Sequence, residues 1–517
     1  MSSVDTARER GLGARRGRTT DERPVPPSPE DGRYKWKVLA TVVFGAFASI
    51  LDSTIVNTAL PQIQMDFKAN LHLASYVATG YILAAGVVVP ASAYLANRFG
   101  IKRVYLISLT VFTIGSVLCG LAPTMVVLIL FRVLQGAGGA GLFSLSFALL
   151  FAAFPQNERG KANGVFGIPV LVAPTIGPTL GGFLTQYVDW RWIFFVNLPI
   201  GILGVVLGAR VLRQSPARPE LRLDRWGFLL AAIGLAALLF GLSNLAYDGL
   251  GSVRTVSGPI IMGAILLVVF IPVELRKRQP LLDLRLYQRR NFAVGNAITV
   301  LAVIGLFGPA FLLPQFLQNL RGLTPFAAGL LLLWQGIGSL AGTVISGQTY
   351  NRVGPQRLIL IGGFGAAVTS FVLARWITPT SDLSFLPGIL IARGVMLPLL
   401  MQSTGTTTLD GITGAALPGA TTLNVVLRNV VASLAIAVLT NVLQQRSQGY
   451  LAQLGHSVPP ILVGAHLAGR VPAAVLNAQA LAFHDVFLIT AAAMVPAVFL
   501  VFLLRPPAGR KAPGLPP

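Results

Sequence analysis

The sequence carries very little charge for its length: only 11% of its 517 residues are Asp, Glu, Lys or Arg, and acids are the scarcer sign, 18 against 40 basic residues. A soluble surface needs roughly 25–35% charged residues, so a single soluble domain is excluded. There is one cysteine, Cys119, inside an apolar segment. No disulfide can form within the chain and no cysteine metal site can be built. The four histidines, at 72, 456, 466 and 484, lack HxxxH or HxxE spacing, so no metal site is expected. GxxxxGK[ST] is also missing, and with it the usual phosphate-cradling loop. No cofactor is expected.

Long apolar runs dominate instead, and hydrophobic residues make up 54% of the chain. A spanning helix needs roughly 20 mostly apolar residues. The candidate spans are 37–61, 72–96, 104–121, 125–153, 162–186, 191–212, 226–246, 256–275, 292–319, 326–350, 356–376, 384–408, 416–443 and 482–504. An even number puts both ends on one side. The loops on that side hold Arg98, Lys102 and Arg103, then Arg159 and Lys161, Arg210 to Arg225, Arg276 to Arg290, and Arg352 and Arg357. The opposite loops hold only scattered charges, so the basic side is expected to be cytoplasmic, with the chain in the cell membrane. Nucleic-acid binding is the other reading of a net charge of +22, but the basic residues alternate with spans and form no patch on a soluble domain.

The expected fold is an all-α membrane bundle of 14 transmembrane helices, in two pseudo-symmetric six-helix halves plus an inserted helix pair. The turn NRFGIKR at 97–103 returns as NRVGPQR at 351–357, 254 residues later. Such repeats build transporters with a substrate site between the halves. The expected divisions are a disordered tail at 1–33, a first half at 34–212, an inserted pair at 213–285, a second half at 286–505 with an external loop at 444–481, and a tail at 506–517. Residues 1–33 lack the short apolar core of a signal peptide.

Asp52 is the only carboxylate near the middle of any candidate span. Intramembrane ionisable residues usually line a pathway or relay protons. Ser49, Asp52, Ser53 and Val56 share a helix face, with Asn57 a turn beyond Ser53, so this stripe is expected to face the bundle interior. Desolvation favours a carboxyl's neutral form, and the functional reading is a group that takes a proton outside and releases it inside. The alternative is a capped or permanently paired acid. Arg132 lies in the fourth span, with Gln135, Gly136 and Gly139 on its face, and Asp52 is its only obvious interior partner. Its alternative is a guanidinium bonded to backbone carbonyls or snorkelling to the interface. Gly136, Gly138 and Gly141 fit GxGxxG, but no strand precedes them, which argues against a dinucleotide site.

Five motifs in order carry a family resemblance: LDSTIVNTALP, GYILAAGVVVPASAYLANRFGIKR, RVLQGAGGAG, GIPVLVAPTIGPTLGG and DWRWIFFVNLPIG. With the span count, residues 35–505 resemble the major facilitator superfamily, specifically its fourteen-span drug:proton antiporter branch. The resemblance implies proton-driven efflux of lipophilic small molecules by alternating access. Asp52 would cycle its proton and contribute to binding cationic drugs, while Arg132 assists proton transfer. Pro174, Gly177, Pro178, Gly181 and Gly182 resemble the exporters' antiporter motif, which shapes the seam between halves; singly, each also reads as packing.

At the turn, Arg98, Gly100, Lys102 and Arg103 fit the family, as Arg352 does in the second copy. Ala93, Asn97 and Asn351 depart from it, replacing a Gly and the acids of a cytoplasmic latch, so that gating role is not carried over. Arg393 and Arg428, the latter with Thr421 and Asn424 on its face, are embedded cations that point either to an anionic substrate or to carbonyl-bonded structural roles. Phe307, Phe311, Gln315, Gln318, Trp334 and Gln335 are candidates for a greasy pocket or for lipid-facing packing. His484 and Asp485 are a candidate external proton entry. The implied partners are protons, a lipophilic small molecule and membrane lipid, with a monomer as the expected assembly. The alternatives are a proton-coupled importer of the same fold, against which PTIGPTLGG argues, and a lipid-modifying membrane enzyme, which would need a polar catalytic cluster that the dispersed acids and histidines do not form.

Overall fold

The computed structural model describes residues 29–154, 159–214, 224–249, 251–277, 283–410, 412, 416–453 and 473–504. Every regular element among them is helical. In order these are α1 (Pro29–Asp66), α2 (Leu71–Phe99), α3 (Ile101–Gly120), α4 (Met125–Gly139), α5 (Leu142–Ala153), α6 (Arg159–Tyr187), α7 (Trp192–Phe195), α8 (Asn197–Val211), α9 (Arg225–Asp248), α10 (Gly258–Arg276), α11 (Arg290–Gln315), α12 (Pro325–Val353), α13 (Pro355–Trp376), α14 (Leu386–Thr408), α15 (Ala416–Gln453) and α16 (Ala473–Leu500). They supply fourteen segments long and apolar enough to cross a membrane. In hydrocarbon a helix satisfies its own backbone, so such runs have no competing structure.

Two spans are interrupted, each for a local reason. The glycines of GAGGAG at 136–141 separate α4 from α5. Pro199 has no N–H to offer the preceding turn, and α7 ends before it. The repeated turn is built on Gly100 and Gly354, whose φ values of 91° and 92° lie where a Cβ is disfavoured.

Two boundaries differ from the sequence expectation. Helix α1 begins at Pro29, not after 33, because a proline at the first turn followed by Glu30 and Asp31 suits a helix N-terminus. The expected loop at 444–481 is helical at both ends: α15 runs to Gln453 and α16 starts at Ala473. Residues 444–453 are polar enough to leave the membrane yet lack proline, so the helix continues out of it. The expected tails 1–28 and 506–517, and the middle of that loop, lie outside the described residues.

We call the side where α1 begins proximal and the opposite side distal. Distally, one cluster joins both halves, with Ile55 and Ile63 of α1 packed together with Phe311, Phe316 and Phe483. Hydrogen bonds cross there too, from Asn57 Nδ2 to the Ala310 carbonyl (3.5 Å), Gln318 Nε2 to the Thr58 carbonyl (2.8 Å) and Ser433 Oγ to the Thr79 carbonyl (2.7 Å). Proximally, α1 and α11 are buried in different clusters, α1 through Val38, Val42 and Ala46, and α11 through Ile298 and Ala302. The seam between α1 and α11 is therefore closed distally and these two helices part proximally, where the halves stay joined instead through Ala85, Val89 and Ala140 beside Phe292 and Val426. Helices α9 and α10 pack on each other, and α9 lies against α2 and α15.

Candidate functional site

Asp52 is completely buried inside the first half. Arg132 NH1 donates to its Oδ2 at 2.6 Å. Gln135 Nε2 donates to Oδ1 at 2.8 Å, and Asn197 Nδ2 to the same oxygen at 2.9 Å. Three spans, α1, α4 and α8, meet at this carboxylate. Arg132 and Gln135 reach it together because they sit three residues apart on α4, on one face. Asn197 arrives from the start of α8 and also donates to Ser116 Oγ of α3 (3.0 Å), which in turn donates to the Phe194 carbonyl (2.8 Å).

The cation is equally well held. Arg132 Nε donates to the Val77 carbonyl (3.0 Å) and NH1 to Gln135 Oε1 (2.8 Å), and the guanidinium stacks over the Tyr81 ring at 4.3 Å. Small residues make this approach possible: a Cβ on Gly136 would collide with the Tyr81 carbonyl, and one on Gly138 with the backbone of Phe112. A buried ion pair survives only when its remaining donors and lone pairs are satisfied. Here nearly all are; the one orphan is Asn197 Oδ1.

The structure corrects the expected stripe. Asp52 turns into the first half, toward α4 and α8, whereas Asn57 turns to α11 and the seam. Helical spacing put them near one face, but Asn57 lies a turn and a half beyond Asp52 and has swung round to a different neighbour. The embedded arginine of the second half is different again. Arg393 is completely buried; its guanidinium donates to Ser370 Oγ and the Gly305 carbonyl, and its Nε has no partner among the described residues. It is a hydroxyl- and carbonyl-bonded arginine. Arg428 on α15 is half-buried, with Asn424 one turn away donating to Asn296 Oδ1 (3.2 Å).

The antiporter-like stretch of α6 lies at the seam. A Cβ on Gly177 would hit Thr54, one on Gly181 would hit Thr58, and one on Gly182 would hit the Pro325 backbone of α12. Thr179 Oγ1 donates to the Gly329 carbonyl at 3.1 Å. Pro174 and Pro178 both lie inside α6. Trp334 is not brought to the buried cluster: it is 41% exposed, on an apolar stripe with Leu330, Ile337 and Ile345, as a lipid-facing side chain would be. Gln335 touches Gly394 of α14 through its carbonyl.

At the proximal turn, Arg98 NH1 donates to Tyr94 Oη (2.5 Å) and Lys102 Nζ to the Ala209 carbonyl (2.8 Å), both within the first half. Arg103 and Arg352 are exposed. The side chains of Asn97 and Asn351 lie outside the described residues. Distally, Tyr450 Oη donates to Asp485 Oδ2 (2.8 Å), with Arg446 at 3.6 Å and His484 at 3.5 Å from that carboxylate.

The sequence from 42 to 438 matches the model of the Major Facilitator Superfamily. The chain belongs to the major facilitator superfamily. It is 30% identical over 82% of its length to an uncharacterized MFS-type transporter, YhcA, of Bacillus subtilis, covering 80% of that protein. It is 38% identical over 64% of its length to a multidrug resistance protein B homolog of Mycobacterium tuberculosis, covering 63% of it. The fold is similar to that of a bacterial homologue of the human lysosomal transporter Spinster, with a TM-score of 0.63 at 16% identity, over 93% of this chain and 98% of that one. It is also similar to the xylose transporter XylE of Escherichia coli, with a TM-score of 0.58 at 13% identity over 91% and 99%. As a member of the superfamily the chain is a multi-pass membrane transporter of a small-molecule substrate.

Asn197 and Ser116 were missed in the sequence. The signal was present for Asn197: it is the one carboxamide in the apolar run after DWRW, and a buried amide needs a partner. The DWRW stretch itself is a distal clasp. Trp190 Nε1 donates to Asp66 Oδ2 (2.6 Å) and Arg191 stacks on the Trp190 ring at 4.4 Å.

Proposed function

We propose that this transporter expels lipophilic small molecules, drugs or antibiotics among them, in exchange for protons, with both termini in the cytoplasm of a bacterial-type cell membrane. The observation that carries this is the cluster around Asp52: one carboxylate and one guanidinium, buried in apolar helices and held by Gln135 and Asn197. Ionised, the carboxylate neutralises Arg132. Once protonated, it no longer does, and Arg132 becomes an uncompensated buried cation, which is costly. Proton binding thus works against the close contact of α1 with α4. In the distally closed form described here the pair is shut. A proton from outside reaches it only when the distal contacts of α1 with α11 open, and leaves on the cytoplasmic side when they close again. The glycines of α6, wedged between α1 and α12, support a sliding seam. Names of relatives that refer to multidrug resistance support the substrate class.

Inside-out vesicles test this. An acid-inside gradient should drive substrate accumulation in the parent and release protons on substrate addition, while Asp52→Asn/Arg132→Gln does neither. Gradient-driven accumulation by that double variant would overturn the reading. A second reading has its own support: the complete burial and near-complete hydrogen bonding of the pair also suit a permanently locked structural contact. It predicts that Asp52→Asn/Arg132→Gln lowers stability but leaves coupling intact.

A further inference from the structure

The seam holds a cation that the proton cluster does not use. Arg428 is half-buried on α15, on the stripe that meets α11 through Asn424 and Leu439, next to the stripe that packs on α2 of the other half through Asn429 and Ser433. Among the described residues its guanidinium has no hydrogen-bond or ion-pair partner, in contrast to Arg132, held by a carboxylate, a carboxamide and a carbonyl, and Arg393, held by a hydroxyl and a carbonyl. The central acid of the spans, Asp52, is already neutralised on the far side of α1. One turn toward the proximal side, Asn424 is fixed by Asn296, itself anchored to the Phe292 carbonyl at 2.9 Å. That bond takes one of two Nδ2 hydrogens and leaves the other as a donor beside Arg428. A fork of guanidinium N–H groups next to a fixed amide N–H matches a planar, two-oxygen anion. The flanking seam residues are apolar, including Val425 and Val426.

We propose that Arg428, with Asn424, is the recognition site for the anionic head of an amphiphilic substrate, a carboxylate or phosphate on an apolar body, bound in the seam between the halves. This deepens the transporter reading by naming a substrate class, and it departs from the cationic-drug expectation attached to Asp52. Counter-ion supply is the physical drive: an unpaired guanidinium inside a membrane protein gains most from the ligand that neutralises it.

The test is equilibrium binding of a fluorescent dodecanoate to the full chain in phosphatidylcholine nanodiscs, compared with its methyl ester. The parent should bind the acid about tenfold or more tightly than the ester. Arg428→Gln should bring that ratio to about one while leaving ester binding unchanged, and Arg428→Lys should keep part of the preference, since it retains charge but loses the fork. Competition by lysophosphatidate in the parent, absent in Arg428→Gln, identifies a phosphate-bearing lipid as an occupant; dodecanoate preference without such competition identifies a carboxylate. An acid-to-ester ratio near one in the parent, or an unchanged ratio in both variants, overturns the proposal. Binding needs no gradient, so an Asp52→Asn/Arg132→Gln protein that still prefers the acid separates failure of proton exchange from failure of anion recognition.

Discussion

Arg132 and Arg393 occupy matching places in the two halves: each is the eighth residue of its helix, α4 and α14. Each is buried, and each lies near a serine at the sixteenth residue of the neighbouring helix, Ser116 of α3 or Ser370 of α13. Their surroundings have diverged. Arg132 faces a carboxylate of α1, a backbone carbonyl of α2 and Gln135 of its own helix, with Ser116 spent on orienting Asn197. Arg393 uses Ser370 directly, and a backbone carbonyl of α11 stands where the first half offers an acid. A guanidinium bonded to a hydroxyl and a carbonyl has no charge to trade, whereas one paired with a carboxyl can lose its partner to a proton. The fold has kept the cation twice but a carboxylate partner once, and on the proposed reading coupling belongs to the first half.

The sharpest way to break that contrast is to remove one partner at a time. Asp52→Asn should destabilise the protein by about 3–5 kcal/mol through the uncompensated Arg132, and Asp52→Asn/Arg132→Gln should recover much of this. Melting followed by tryptophan fluorescence in one detergent reads both; equal melting of the single and double variants would remove the ion-pair account. Arg393→Gln, with no counter-ion to strand, should cost about 1–3 kcal/mol through the orphaned Gly305 carbonyl and leave proton-coupled transport in place. Loss of coupling there would erase the difference between the halves. Asn197→Leu should cost a similar 1–3 kcal/mol and weaken coupled efflux, since Asp52 loses one donor and Ser116 another; unchanged efflux rates would show that Asn197 only packs.

The smallest effect belongs to a pair at the edge of the bundle. Asp224 caps α9, with its Oδ1 accepting from the Gly227 N–H at 2.8 Å, and bonds Lys277 just beyond α10. Burial pushes the Asp224 carboxyl up, but Lys277, the Gly227 N–H and Glu274 together hold it below the ordinary value. A depressed carboxyl contributes stability that is present above its unfolded value, about 3.9, and lost as pH falls through the folded one. Because the site is partly solvated, Lys277→Ala should cost only about 0–1 kcal/mol at neutral pH, and nothing once the carboxyl is protonated. A cost that persists in acid would mean that packing, not charge, is at work.

Much of this was legible in the sequence. Apolar length fixed the fourteen spans, because a spanning helix has no structural competitor. The repeated turn marked the halves, because only glycine serves at Gly100 and Gly354. The Asp52–Arg132 pair followed from scarcity: a lone acid and an embedded cation have few other partners. What spacing could not convey is direction. It grouped Ser49, Asp52 and Asn57 without saying that Asp52 faces away from the seam, and it left Trp334 open between a pocket and a lipid-facing place, where the structure sets it among exposed apolar groups. Nor could it separate Arg393 from Arg428, since a guanidinium satisfied by a backbone carbonyl leaves no trace in side-chain composition. Helix ends were misread where polar residues continue a helix beyond the membrane, as at 444–453.

The central claim, that one buried carboxyl trades its arginine for a proton, is tested most directly by difference infrared spectroscopy of the carboxylic C=O stretch in reconstituted protein. On substrate addition to protein first acidified until the pair has opened, the account predicts loss of one protonated-carboxyl band, absent in Asp52→Asn/Arg132→Gln. A parent spectrum that shows no such change, with transport still running, would contradict it.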